Sequence, residues 1–299
     1  MTNEVESDDL QVKTLSQIAR NASTALRDPE ILQKWMQYQL AVFMRREPVL
    51  RIGSSGFSGF PHFNAYLGAW KYRPDDAETR FLRRNLHGAK AIVDVGANFG
   101  ALTALMCELA PGARVYAFEP HPKTFAALDR NVRSNGLAER VFCGQTAVGK
   151  AIGTAHFLDT GEPATNRLAA KGGNTFEVAL TTIDSFCRQH ELPFVDFMKI
   201  DVEGAEAEVL LGAGAMFAKR LIGSGMIEIC PGNLKLFGRR VSDLRAFFET
   251  HGYDLCWFGT DGRATAAVQT ELPDDLCRNA AFMPKRPLPD EARLRQRNA

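Results

Sequence analysis

AIVDVGANFGALTALMCELA, residues 91–110, runs from an apolar strand pattern through a glycine turn into a helical one. Ala91 to Val95 has no regular polar alternation, Gly96 closes it, and Pro111-Gly112 ends the helical part. A strand without alternation is buried on both faces, as in a parallel sheet with helices on either side. In such a sheet a ligand lies beyond the carboxyl ends of the strands, where strand order reverses. The turn after Val95 is therefore the first place to look for a site.

The same rhythm continues downstream. RVYAFEP (114–120) reads as a second strand, followed by a helix from Pro122 to Asn135 that Gly136 stops. RVFCGQTAV (140–148) reads as a third strand. GTAHFLD and FEVALTT pattern as an inserted antiparallel hairpin, joined by the polar TGEPATNRLAAKGGN. Thr182, Asp184 and Ser185 open a helix, VDFMKID (195–201) is a fourth parallel strand, and Glu206 begins the next helix. LIGSGMIEIC (221–230) is a fifth strand. VSDLRAFFETHG is a helix with Ser242 as its cap, and DLCWFGT (254–260) and AAFMPKR (280–286) are the final strands. The expected fold class is α/β.

Upstream, residues 1–10 are acidic and read as disordered, and a helical period runs from Thr14 to about Arg46, restarting at Asp28-Pro29. ILQKWMQYQLAVFM is amphipathic, suited to packing on the α/β domain or to a homodimer interface. GSSGFSGFPHF (53–63) reads as a mobile loop with apolar anchors, a connector or a lid over a substrate. Phe57, Phe60 and Phe63 would present one apolar surface there, choosing the acceptor and not the donor. The expected division is an N-terminal helical and lid region over 1–85, an α/β domain over 86–288 and a charged tail over 289–299.

Composition narrows the function classes. Among 299 residues the formal net charge is +1, which gives no general attraction to nucleic-acid phosphates or an anionic membrane. The polar start MTNEVESDDL is no secretory signal, and no apolar run reaches the ~18–20 residues of a membrane span. Six cysteines stand singly with no closely paired spacing, so reduced core thiols in a soluble cytoplasmic protein are expected and structural zinc is not.

At the ends of the first two strands the residue types favour one kind of ligand. Asp94, Gly96, Asn98 and Gly100 surround the turn, and Glu119 ends the second strand ~20 residues later, the spacing of a carboxylate on ribose hydroxyls. Neither Asn98 nor Phe99 is glycine, so the arrangement that cradles a dinucleotide pyrophosphate is missing. This argues against a nicotinamide-dependent oxidoreductase. Asp94 suits a cationic or hydroxylated ligand, and S-adenosylmethionine offers an ammonium, a sulfonium and a ribose diol.

DVGANFGALT, FEPHPKTF, QTAVG, LTTIDSF, DFMKIDVEGAEAEVLLGA and IEIC, in this order from about Ala91 to Cys230, resemble the FkbM family of methyltransferases. The segment before Tyr72 carries none of its signature. The resemblance implies a class I methyltransferase (Rossmann-like) fold, a seven-stranded, mostly parallel sheet with an antiparallel last strand. It also implies S-adenosyl-L-methionine as donor and a small-molecule hydroxyl as acceptor, on a sugar, polyketide or other secondary metabolite. By position, Asp94, Gly96, Asn98 and Gly100, with Ala97 and Phe99 between them, would line the methionine end. Glu119 would hold the ribose beside Pro120 and His121, and Gln145 and Ala147 would flank the adenine. A methyltransferase fold kept only as a binding module is the non-enzyme alternative.

In this fold the fourth strand end, KIDVEGAE, faces the reacting methyl. Lys199 and Asp201 are two apart on a strand and share a face. An alcohol acceptor must lose its proton, so Asp201 or Glu203 is the expected base, with Lys199 orienting it and His121 or His62 as rivals. No metal is expected on this reading. If a divalent cation activates the hydroxyl instead, Asp201, Glu228 and Asn233 are the candidate ligands, because they fall at adjacent strand ends.

Overall fold

The computed structural model describes residues 29–60, 66, 76–160, 166–169 and 172–286. The expectations for residues 1–10, the helical pattern before Asp28, His62, Phe63 and the tail over 289–299 lie outside these residues. Among the described residues no helix is long and apolar enough to cross a membrane.

The described chain opens with the helix Pro29–Phe43 and a hairpin of β1 (Leu50–Ile52) and β2 (Ser55–Phe57). Its second strand falls within the loop expected over 53–63, of which residues 53–60 are described. The hairpin's backbone is tied to the helix Pro122–Ser134 by two asparagines. Gly56 exchanges hydrogen bonds with the Asn135 side chain at 2.8 Å in each direction, and Ser58 N donates to Asn131 Oδ1 at 3.0 Å. Phe57 and Phe60 are 1% and 6% exposed, so they are core residues and present no free apolar surface. Aromatic rings on a glycine-rich segment gain more by burial than by forming a surface, at about 1.5–3 kcal/mol per ring.

After the helix Ala77–Asn85 come β3 (Ala91–Val95), β4 (Arg114–Phe118) and β5 (Val141–Gly144). The chain then leaves for a small sheet of β6 (Ala147–Val148), β7 (Gly153–Leu158), β8 (Arg167–Ala169) and β9 (Thr175–Thr181). It returns with β10 (Val195–Ile200), β11 (Ile222–Ile229), β12 (Tyr253–Phe258), β13 (Ala264–Ala267) and β14 (Arg278–Pro284). The large sheet has eight strands in the order β13-β12-β14-β11-β10-β3-β4-β5. From β11 to β5 neighbouring strands are parallel, and β14 is inserted antiparallel between β11 and β12. This is the doubly wound arrangement, and its order reverses between β3 and β10.

Four details differ from the sequence expectation. An eighth strand, β13, joins the seven because the turn at Gly259–Gly262, with Gly262 at φ 74°, folds the chain back on β12. The third strand stops at Gly144, and Ala147–Val148 pairs instead with β9 in the small sheet, so 140–148 is two strands. The inserted hairpin β7–β9 is present, and β8 from its polar connection adds a further antiparallel partner to β7. The helix Val241–Thr250 is capped at Arg240, whose N–H donates to Asp243 at 2.9 Å, leaving Ser242 inside the helix.

Alternation along the strands sorts the core. Ile92, Phe197, Met226 and Ala281 face one layer, which also holds Tyr38, Leu50, Phe57, Phe81 and Leu82. Val93, Met198, Ile227 and Phe282 face the other. Asp94, Lys199, Glu228 and Asn279 sit at positions of the first parity, so they point to the layer that the N-terminal segments cover. The β11–β14 register sets Glu228 opposite Asn279, and two steps further it brings Cys230 and Cys277 together. These two form a disulfide, where reduced thiols were expected, while Cys107, Cys143, Cys187 and Cys256 are free.

Candidate active site

Strand order reverses between β3 and β10, the place where a doubly wound sheet holds its ligand. Gly96, at φ 80°, is where the ends of these strands come closest, because a Cβ there would overlap the carbonyl oxygen of Asp201. Glycine is thus required by the approach of the neighbouring strand, and not by a ligand's approach alone. Asn98 follows at φ 52°, a left-handed conformation that Asn tolerates better than most residues. Gly100 caps the helix Ala101–Leu109, and Ala97 and Phe99 are buried. Phe99 turns into the core, its ring 5.2 Å from that of Phe60.

Glu119 holds this turn from the next strand. Its Oε2 accepts the Asn98 N–H at 3.1 Å and its Oε1 accepts the His121 N–H at 3.0 Å. Burial pushes its pKa up to about 7, against the pull of those two N–H groups. Asp94 is fully buried and accepts from Thr103 Oγ1 at 2.6 Å, with its pKa raised by burial and Lys199 opposing the rise. Two acceptors here, Asp94 Oδ1 and Asn98 Oδ1, are buried without a hydrogen-bond partner. A ligand rich in donors, such as an ammonium or a ribose diol, fits acceptors of this kind, so the residues present suit S-adenosylmethionine.

His121 lies apart from the charged strand end. It caps the helix Pro122–Ser134, with Nδ1 facing the Thr124 N–H at 3.4 Å and Nε2 lying 3.5 Å from Asp159 Oδ2. Its ring packs on Phe176 and Phe157 of the small sheet. Both ring nitrogens are engaged, which disfavours it as a base. Half-buried Pro120 precedes it, exposed Gln145 lies between β5 and β6, and Ala147 is buried against Phe157 and Val178.

At the end of β10 the charged residues do converge. Lys199, 3% exposed, places Nζ 2.9 Å from Asp201 Oδ2 and donates to the Gly96 carbonyl at 3.3 Å. Asp201, Glu203 and Glu228 bring one carboxylate oxygen each to within 4.8 Å of the others. Asn233 stands beside them, and its Nδ2 donates to Glu203 Oε2 at 2.9 Å. Glu203 takes the third place, and the sequence reading of the metal option missed it because the turn, not the strand, aims it. It sits at φ 56°, held by Glu206, whose Oε1 accepts the N–H groups of Val202 and Gly204 at 3.1 Å each.

Crowding and burial make these acids hard to ionise together. Burial, then Asp201 and Glu206, push Glu203 up to about 8, and burial pushes Glu206 up to about 7. Burial and the same neighbours raise Glu228 well above the carboxylate range. Thr103 was outside the predicted site, and Glu206 was expected only as one of the charges at the KIDVEGAE strand end. A glutamate in the first helical turn is a common capping signal, and this one caps the turn that carries Glu203.

Residues 94–255, more than half of the chain, match a family model described as the methyltransferase FkbM domain. Methyltransferase sdnD of Sordaria araneosa is 29% identical over 160 residues, covering 43% of this chain and 62% of its own. The hexuronic acid methyltransferase AglP of Haloferax volcanii is 30% identical over 148 residues, covering 48% and 59%. The 31-O-demethyl-FK506 methyltransferase FkbM of Streptomyces tacrolimicus is 27% identical over 185 residues, covering 50% and 70%. The chain spans about three fifths of the length of the first two relatives.

Proposed function

The chain belongs to the methyltransferase FkbM domain family, and on that footing we propose that it transfers a methyl group from S-adenosylmethionine to a hydroxyl oxygen of a small molecule. One observation carries the acceptor half of this reading: Asp201, Glu203 and Glu228 meet beside the turn at Gly96, where the β3 and β10 ends touch. One relative is named for a hexuronic acid and another for an O-demethyl compound. Both names support a hydroxyl on a sugar, polyketide or similar metabolite as acceptor.

S-adenosylmethionine, when bound, supplies an electrophilic methyl carbon on a sulfonium. The protein's tasks are alignment and proton removal. Asp94 and Asn98 offer the unpartnered oxygens for the donor's ammonium end. Glu119 keeps lone pairs beyond its two backbone contacts for the ribose diol. As the new C–O bond forms and the C–S bond breaks, the hydroxyl proton passes to a carboxylate of the Asp201–Glu203 pair, leaving a neutral thioether. Lys199 holds Asp201 in place. Glu203, whose affinity for protons lies near neutral pH, is suited to receive the proton.

Calorimetry and a labelled donor test this. S-adenosylhomocysteine should bind the full chain, NAD should not, and label from the donor methyl should appear as an ether on a hydroxylated acceptor. Binding of NAD without S-adenosylhomocysteine would overturn the reading. Binding of S-adenosylhomocysteine with no transfer to any acceptor tried would favour the binding-module alternative.

A further inference from the structure

We propose that Asp201, Glu203 and Glu228 form a binding site for one oxygen-preferring divalent cation. One oxygen from each lies within 4.8 Å of the other two. Oxygens on a shared magnesium or calcium, at about 2.0–2.6 Å from the ion, are spaced within that range. The three acids reach this point from different parts of the fold. Ile200 of β10 is in register with Ile227 of β11, so the next rung sets Asp201 beside Glu228, and the following turn adds Glu203.

Glu228 supplies an independent sign of a missing partner. Its Oε2 is shut off from solvent and receives no hydrogen bond among the described residues. A buried carboxylate oxygen without a donor is costly, and a cation is a partner that a surround of three carboxylates against the one Lys199 ammonium fits. Local charge points the same way. Lys199 pairs with Asp201, and Arg167 acts on Glu203, against the four carboxylates of Asp201, Glu203, Glu206 and Glu228. The set contains no imidazole or thiolate, so magnesium, manganese or calcium fits it better than zinc or copper.

The surroundings hold the donors in position. Asn233 donates to Glu203 Oε2, fixing that carboxylate's rotation. Glu206 clamps the backbone on both sides of Glu203, in a left-handed conformation that glutamate seldom adopts. Outer partners of this kind orient ligands in metal sites, and losing one typically costs 10–100-fold in affinity. What a cation would do there rests on the methyl-transfer reading, where it would polarise the acceptor hydroxyl and replace the Asp201–Glu203 pair as the group that activates it. The site itself rests on the geometry.

The test uses the full chain dialysed against a chelator, titrated with manganese and followed by the electron paramagnetic resonance of free Mn²⁺. S-adenosylhomocysteine affinity is measured in parallel. One manganese should bind per chain, and Glu228→Gln and Asp201→Asn should each weaken it at least tenfold. Glu228→Gln should leave S-adenosylhomocysteine affinity within a few-fold. If the ligand variants fail to fold, Asn233→Ala, which removes only an orienting contact, should still weaken manganese several-fold. No stoichiometric manganese binding by the wild-type chain, or full affinity in the folded variants, would overturn the site. Manganese binding without S-adenosylhomocysteine binding would support the site and sink the donor reading instead.

Discussion

Lys199 Nζ lies 2.9 Å from Asp201 Oδ2 and also donates to the Gly96 carbonyl, so one buried ammonium joins the ends of β3 and β10. Asp94, opposite Lys199 in the β3–β10 register, feels the same charge. Removing one partner of a buried pair leaves the other uncompensated, at a cost of about 3–5 kcal/mol. Lys199→Met should therefore lower the unfolding free energy by several kcal/mol and abolish turnover. Denaturant titration measures the first, and a loss below about 1 kcal/mol would show that Asp94 and Asp201 find other compensation.

The raised carboxyls give stability an unusual pH slope. Glu119 and Glu206 titrate at about 7 and Glu203 at about 8 in the folded chain, all raised from the ordinary 4.5. Between those values the folded state binds more protons than the unfolded state, so stability falls as pH rises. Their contribution is complete below about pH 4.5 and is lost as pH climbs through 7 to 8. The Tm of the ligand-free, cation-free chain should decline over that window. Glu206→Gln keeps an oxygen for Val202 and Gly204 and removes one titrating group, so it should flatten the decline. A Tm that rises over the window would contradict the burial of these acids.

Glu119→Ala removes a carboxylate that both faces the donor's proposed ribose and holds the Asn98 and His121 N–H groups. A charge-assisted hydrogen bond to a ligand is worth about 1.5–3 kcal/mol, or roughly ten- to hundredfold in affinity. S-adenosylhomocysteine should bind at least tenfold more weakly by calorimetry, with some loss of stability as the two N–H groups lose their acceptor. Unchanged affinity in a folded variant would move the ribose elsewhere.

The large sheet was legible because its cues are local. Ala91–Val95, the turn from Gly96 to Gly100 and Glu119 lie on contiguous stretches whose residue types state their own geometry. Features set by pairing between distant strands were not. Cys230 meets Cys277 only because Glu228 stands opposite Asn279, and the two-residue β6 exists only because β9 lies beside it. The acidic cluster shows the boundary well. Asp201 and Glu228 follow from adjacent strand ends, whereas Glu203 depends on a left-handed turn that Glu206 stabilises from the following helix. Asn233 follows from the same strand ends, but the sequence does not say that its amide donates to Glu203.

The expectation that the N-terminal segment serves the acceptor alone meets a contrary contact at Asn131. This residue, 2% exposed, donates through Nδ2 to the Ser58 carbonyl at 3.1 Å and to the Phe99 carbonyl at 2.9 Å, and accepts the Ser58 N–H through Oδ1. Phe60 adds a ring contact to Phe99. The segment after β2 is therefore joined to the turn that carries Asn98 and Gly100, and a disturbance there should be felt by the donor. Phe60→Ala should cost about 3–5 kcal/mol of stability as a core truncation. Asn131→Ala should cost about 1–3 kcal/mol for each backbone group left unpaired. In folded protein both should weaken S-adenosylhomocysteine about tenfold, roughly 1.4 kcal/mol. The milder Phe60→Leu should weaken it less while keeping the core filled. A lid would behave otherwise: Phe60→Leu would leave S-adenosylhomocysteine affinity intact and lower kcat/KM for the acceptor. That pattern, with unchanged Tm, would restore the acceptor-only role and show that the Asn131 bridge does not couple the two segments.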